Sequence, residues 1–202
     1  MVRSMSNLPN ILTFIRILVI PFLICVFYLP YTWGHAAAAI LFTLACLTDW
    51  LDGYLARTMQ LSTKLGAFLD PVADKVMVSV ALVLIVGEPQ FEFISLSSTV
   101  YAIPVAVLTI PAAIIVSREI IVSALREWMA EVGKRTSVAV SNLGKIKTCI
   151  QMMALVVLLY CDSTTNVIIL IAGYLLLYVA AVLTIWSMVI YIRAAWPELK
   201  EP

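Results

Sequence analysis

The sequence predicts an all-α fold: a polytopic membrane bundle of six transmembrane helices, forming a single domain over residues 1–202. Three observations predict it. Hydrophobic residues make up 63% of the chain and the mean hydropathy is +1.04. Charged residues reach only 12%, about half of the roughly 25% usual in soluble domains, so a water-soluble fold of this length could not hide its apolar surface. The apolar residues also fall into windows of about 20, the length needed to cross the hydrocarbon core as a helix. The net charge of +1 argues neither for nor against an anionic partner.

Taken in order, the expected spans are Ile11–Leu29, Ala36–Leu55, Ala67–Val86, Val100–Val122, Val138–Tyr160 and Val167–Ile192. The first contains Arg16 and is not followed by a small-residue cleavage site, so it is expected to remain as a span rather than be removed as a signal peptide. The breaks alternate in character. "YLPYTWGH", "GEPQFEFISLSS" and "CDSTTN" lie on one side, "RTMQLSTK" and "REWMAEVGKRTS" on the other. None of the 13 Lys and Arg residues falls in Leu29–His35, Gly87–Thr99 or Cys161–Asn166. The positive-inside rule then places both termini and the second group of breaks in the cytosol. The four cysteines (Cys25, Cys46, Cys149, Cys161) show no metal-ligand or redox spacing and read as small buried hydrophobes. His35 reads as a plain loop residue, and Trp33, Trp186 and Trp196 as interfacial or packing aromatics.

The chemistry concentrates in "TDWLDGYLARTMQLSTKLGAFLDPVADK", Thr48 to Lys75. Asp49 and Asp52 are three apart near the end of the second span; Asp70 and Asp74 are four apart in the first turns of the third. Both spacings put side chains on one helix face. A loop from Thr58 to Leu65 lets the two helices pack antiparallel, and Gly53 and Gly66 permit close backbone approach. Two carboxylate pairs can therefore converge near the membrane surface. Four carboxylates in a poorly hydrated site need a positive charge to remain ionised. Oxygen donors without His or Cys suit a hard divalent ion, Mg2+ or Mn2+, which also binds substrate phosphates. Two other readings stand beside this one. Asp70, with Pro71 after it, could favour a helix N-terminus, and intramembrane acids can mark an ion or proton path. The first does not explain Asp49 and Asp52, which approach a helix C-terminus. The second expects a midplane acid, and no other span carries one.

Asp49, Asp52, Gly53, Ala56, Arg57, Gly66, Asp70 and Asp74 match D-x2-D-G-x2-A-R-x8-G-x3-D-x3-D without departure. That pattern resembles the signature of the CDP-alcohol phosphotransferase family, and "LPNILTFIRILVIPF" is similar to the family's first helix. The resemblance implies a six-helix membrane bundle, often a homodimer, with a polar cavity open to the cytosol. It implies two metal ions held by Asp49, Asp52 and Asp70, with Asp74 as the general base. It implies contacts from Gly53 and Arg57 to the CDP part of the substrate, with Gly66 at a packing or nucleotide-side position. "SREIIVSALREWMAE" and "SVAVSNLGKIKT" resemble members that transfer the phosphatidyl group of CDP-diacylglycerol to glycerol 3-phosphate and release CMP. A bacterial cytoplasmic membrane location follows from the same resemblance.

A dianionic acceptor needs basic residues, and Arg118, Arg126, Lys145 and Lys147 lie at the cytosolic ends of the fourth and fifth spans. Arg118 falls inside an apolar run, where an unpaired cation is costly. A phosphate pocket that includes Arg118 and Lys145 is the expectation; snorkelling and anchoring are the alternative. Glu119 is placed to orient a neighbour. Asn10, Thr13 and Arg16 recur every third residue and could share one face of the first helix, on the substrate side. Two rivals remain open: a family sibling that uses phosphatidylglycerol or an inositol phosphate as acceptor, and a cation transporter built on the same carboxylates. No nucleic-acid partner is expected.

Overall fold

The computed structural model describes residues 8–59, 64–96, 99–132 and 142–199. Among them are six α-helices: α1 (Leu8–Phe27), α2 (Gly34–Met59), α3 (Lys64–Val86), α4 (Ala106–Glu131), α5 (Asn142–Tyr160) and α6 (Val167–Leu199). A short 3-10 turn at Pro89–Glu92 leads into an antiparallel hairpin, β1 (Phe93–Leu96) and β2 (Thr99–Ala102), with Phe93 opposite Ala102 and Leu96 opposite Thr99. The windows of α4 and α6 have mean hydropathies of 1.8 and 2.6, long and apolar enough to cross a membrane. Among the described residues, the apolar helical stretches Thr13–Phe27, Gly34–Asp49 and Ile146–Tyr160 are shorter.

The chain divides into two compact units. The first is Met1–Gln90 with Leu155–Asn166. Here α1 packs against both α2 and α3. Ile20, Leu23 and Phe27 of α1 are buried at spacings of three and four; so are Ala38, Phe42 and Ala45 of α2, and Ala73, Met77 and Ala81 of α3. The alanines let the backbones approach closely, which favours helix association where dispersion does the work. Gly34 opens α2 at a tight place. A Cβ there would lie 3.1 Å from the carbonyl oxygen of Leu29 and 3.2 Å from that of Val26. In the loop after α5, the Asp162 carboxylate accepts from the Thr164 and Thr165 hydroxyls and the Thr164 amide. Burial pushes its pKa up, but these donors outweigh it and hold the carboxyl below its usual value.

The second unit is Phe91–Ala154 with Val167–Pro202. Here α4 packs along α6. Val122 and Met129 of α4 pack with Tyr191 and Ala195 of α6 in one buried cluster; Leu108, Ala112 and Ile115 of α4 and Leu177, Ala180 and Ala181 of α6 are buried as well. The first turns of α6 are pinned by two tyrosines one turn apart: Tyr174 donates to the carbonyl of Phe91 at 2.8 Å and Tyr178 to that of Val107 at 2.9 Å.

Several boundaries differ from the sequence reading. The fourth span does not begin at Val100. Val100–Ala102 belong to β2, and α4 starts at Ala106 and continues past Val122 to Glu131. A hydropathy window cannot separate a short apolar strand from an apolar helix, and Pro104 steers Ile103 away from helical geometry. The expected loop Thr58–Leu65 is invaded from both sides, because α2 runs to Met59 and α3 starts at Lys64. Asp70 and Pro71 are thus the seventh and eighth residues of α3, too deep for a first-turn role at the helix dipole. Likewise α6 extends beyond Ile192 to Leu199; polar turns at helix ends carry no hydropathy signal. Residues 138–141 of the expected fifth span lie outside the described residues.

The contact at Gly34 is with backbone, which cannot swing aside. Gly34→Val should lower the Tm of the detergent-solubilised protein by several degrees, at the roughly 1–3 kcal/mol typical of overpacking, and Gly34→Ala by less. An unchanged Tm for Gly34→Val, followed by thermal unfolding, would contradict the packing described.

Candidate active site

Three helices meet at Arg16. It lies in α1, is 1% exposed, and stands one turn after Thr13, which is fully buried. Its Nη1 donates to Asp49 Oδ1 of α2 at 2.7 Å and to Asp74 Oδ1 of α3 at 2.8 Å. Both aspartates keep about 40% of their side-chain surface exposed (40% and 39%). The arginine is thus enclosed while the carboxylates open outward. This arrangement follows from cost. A buried guanidinium without a counter-charge is expensive, and a carboxylate from each neighbouring helix answers it at charge-assisted distances. Two carboxylate oxygens from different helices converge on one cationic nitrogen. That convergence and an oxygen-only donor set fit a hard divalent ion. Of the three expected metal ligands, Asp49 is the one whose side chain is described, with Asp74 beside it on the same arginine nitrogen; the side chains of Asp52 and Asp70 lie outside the described residues. Among the described residues no group of three or more His, Cys, Asp or Glu assembles.

The second unit carries a basic cluster. Glu119 Oε1 accepts from Arg118 Nη1 and from Lys147 Nζ, both at 2.7 Å. Arg118 is 7% exposed and Lys147 1%. Arg118 Nη2 also donates to Ser187 Oγ at 3.1 Å, and Ser187 in turn donates to the carbonyl of Thr184 at 3.0 Å. Two turns along α4, Arg126 Nη2 donates to the Tyr191 hydroxyl at 3.0 Å. Both guanidinium carbons lie near the Tyr191 ring, at 5.8 Å for Arg118 and 5.0 Å for Arg126. Two cations therefore meet on one carboxylate oxygen, and a third, Arg126, shares the Tyr191 ring with Arg118. The Nε atoms of Arg118 and Arg126 are buried without a hydrogen-bond partner among the described residues. Buried guanidinium donors without a partner have the chemistry to take an anion.

The structure thus brings Arg16, Asp49 and Asp74 together in one unit, and Arg118, Arg126 and Lys147 in the other. Asn10, Asp52, Gly53, Arg57, Gly66, Asp70 and Lys145 fall on helical backbone, but their side chains lie outside the described residues. Glu119 orients two neighbours, Arg118 and Lys147. Sequence reasoning passed over Ser187 and Tyr191. Their signal was present: a hydroxyl and a phenol four residues apart in the apolar helix α6, which puts them on one face.

Comparison with known proteins agrees with the motif. The family model described as CDP-alcohol phosphatidyltransferase matches residues 6–186. A protein of Yersinia enterocolitica serotype O:8 is 50% identical over 196 residues, covering 97% of this chain and 98% of its own. One from Yersinia pestis (strain Pestoides F) is 51% identical with the same coverage. One from Escherichia coli (strain K12) is 50% identical over 195 residues, covering 96% and 98%. All three bear the name CDP-diacylglycerol–glycerol-3-phosphate 3-phosphatidyltransferase. With the aspartate motif complete and the match running through five helices and into the sixth, this chain belongs to the CDP-alcohol phosphatidyltransferase family.

Proposed function

We propose that the chain transfers the phosphatidyl group of CDP-diacylglycerol to glycerol 3-phosphate, giving phosphatidylglycerol phosphate and CMP. Relatives about half identical over nearly the whole chain carry that activity in their names. The observation that carries the reading is the convergence of Asp49 and Asp74 from two helices on one cationic point. Asp49, Asp52 and Asp70 would hold two divalent ions, Mg2+ or Mn2+, which when bound offset the charge of the CDP diphosphate. Gly53 and Arg57 contact the CDP part, with Gly66 beside it. Asp74 accepts the proton of the acceptor's 1-hydroxyl. The freed oxygen attacks the phosphorus that bears diacylglycerol, the bond from that phosphorus to the CMP oxygen breaks, and CMP leaves in line. Positioning and charge compensation supply the catalysis. Arg118, Arg126, Lys145 and Lys147 receive the phosphate of glycerol 3-phosphate.

The same reading sets the protein in a membrane as six spans, with the active site on the cytosolic face. Leu18, Val83 and Ile168 are 69%, 69% and 70% exposed, as side chains that meet acyl chains rather than water would be. The lipid substrate then keeps its tails in the bilayer while its head reaches the aspartates. In a cysteine-free background, single cysteines placed at His35 and Asn166 should react with an impermeant thiol reagent added to intact cells, and one at Thr63 should not. The opposite labelling pattern would reverse the orientation.

Asp74→Asn keeps the shape of the side chain and removes the proton acceptor. Turnover, measured as CMP release, should fall by roughly 10^2- to 10^4-fold, while Mn2+ titrated by electron paramagnetic resonance still binds. Asp49→Asn, Asp52→Asn and Asp70→Asn should each weaken Mn2+ binding directly. Equal loss of Mn2+ from Asp74→Asn would make Asp74 a ligand and not the base.

Loss of a charge-assisted phosphate contact is worth about 1.5–3 kcal/mol. Arg118→Ala and Lys145→Ala should therefore raise KM for glycerol 3-phosphate by roughly 10- to 150-fold, with a smaller effect on KM for CDP-diacylglycerol. A panel of acceptor alcohols assayed alongside checks acceptor identity; faster CMP release with phosphatidylglycerol or an inositol phosphate would reject glycerol 3-phosphate.

A further inference from the structure

In the second unit, α6 does more than pack against α4. Ser187 and Tyr191, one turn apart, meet the two arginines of α4, which are two turns apart. Ser187 is 1% exposed and takes one nitrogen of Arg118. Tyr191 is 3% exposed, takes one nitrogen of Arg126, and lays its ring beside both guanidinium groups. We propose that Tyr191, aided by Ser187, is a positioning residue that sets Arg118 and Arg126 as a pair for the phosphate of the acceptor alcohol. The proposal rests on the acceptor pocket described above and adds what fixes its geometry.

The physical case begins with repulsion. Two guanidinium groups around one ring repel each other in a medium of low dielectric constant, and a seam that needed only packing would place apolar side chains there. The negative face of the phenol ring offsets part of that repulsion. The two hydroxyls then remove rotational freedom. Arg118 is held at Nη1 by Glu119 and at Nη2 by Ser187; Arg126 is held at Nη2 by Tyr191. On both, the buried Nε hydrogen has no partner among the described residues. A cation clamped on one side with a donor left over is preorganised for an anion. Fixing its direction before the ligand arrives lowers the ordering cost of capture. The effect belongs to acceptor binding and not to the aspartate chemistry, which resides in the other unit.

The test uses the full chain in lipid–detergent micelles. Tyr191→Phe keeps the ring and removes the hydroxyl; Tyr191→Leu removes both; Ser187→Ala frees Arg118. Each should raise KM for glycerol 3-phosphate, Tyr191→Phe by roughly tenfold, the loss that goes with one hydrogen bond to a charged group, and Tyr191→Leu by more. KM for CDP-diacylglycerol should stay at the wild-type value, and kcat should change far less than the acceptor KM. A structural seam alone would lower Tm and shift both KM values together. Tyr191→Phe, which preserves packing, carries the test if Tyr191→Leu fails to fold. Wild-type acceptor KM in Tyr191→Phe and Ser187→Ala, while Arg118→Ala and Arg126→Ala raise it, would overturn the positioning role and leave the pocket standing. Wild-type acceptor KM in all four variants would remove the pocket itself, and the positioning role with it.

Discussion

An enclosed cation in an apolar protein must be met by negative charge, and Arg16 is where this chain faces that requirement most sharply. The guanidinium is nearly sealed from the surface. Its only affordable environment is one in which carboxylates reach it at hydrogen-bond distance. Asp49 and Asp74 do so from two different helices, so a single electrostatic need ties α1, α2 and α3 at one level. The apolar contacts of Leu23, Phe42 and Met77 hold those helices together along their length, but they do not dictate register. A helix can slide over alanines and leucines at small cost; it cannot slide a carboxylate away from a buried arginine without stranding both.

The second unit meets the same constraint with the signs reversed. Glu119 is the anion, and Arg118 and Lys147 converge on one of its oxygens. The balance differs. In the first unit two carboxylates face one arginine and remain partly exposed, so negative charge looks outward. In the second, two cations face one carboxylate, and the buried Nε donors of Arg118 and Arg126 have no partner among the described residues.

The hairpin and the helix ends show what hydropathy does and does not encode. Apolar windows located the six helices found among the described residues, because each is apolar over much of its length. They misplaced the start of the fourth because Val100–Ala102, the end of β2, are apolar like the helix that follows and differ in how their backbone hydrogen bonds are made. They stopped short at Met59 and Leu199 because the last turns of α2 and α6 are polar, although helical hydrogen bonding continues through them.

From the sequence alone came the helical class, the six apolar segments, the family through eight fixed motif positions, and the expectation that aspartates and basic residues are the reactive groups. These are legible because they depend on residue type and on spacing within one helix, and both are written along the chain. Only the tertiary structure decided which of those groups meet. Arg16 could have faced substrate or lipid by its spacing, and packing of three helices directs it to Asp49 and Asp74. Lys147 reaches Glu119 across 28 residues of chain, and Tyr191 reaches Arg126 across 65. No local periodicity carries such pairings, because the partner is selected by where another helix comes to rest.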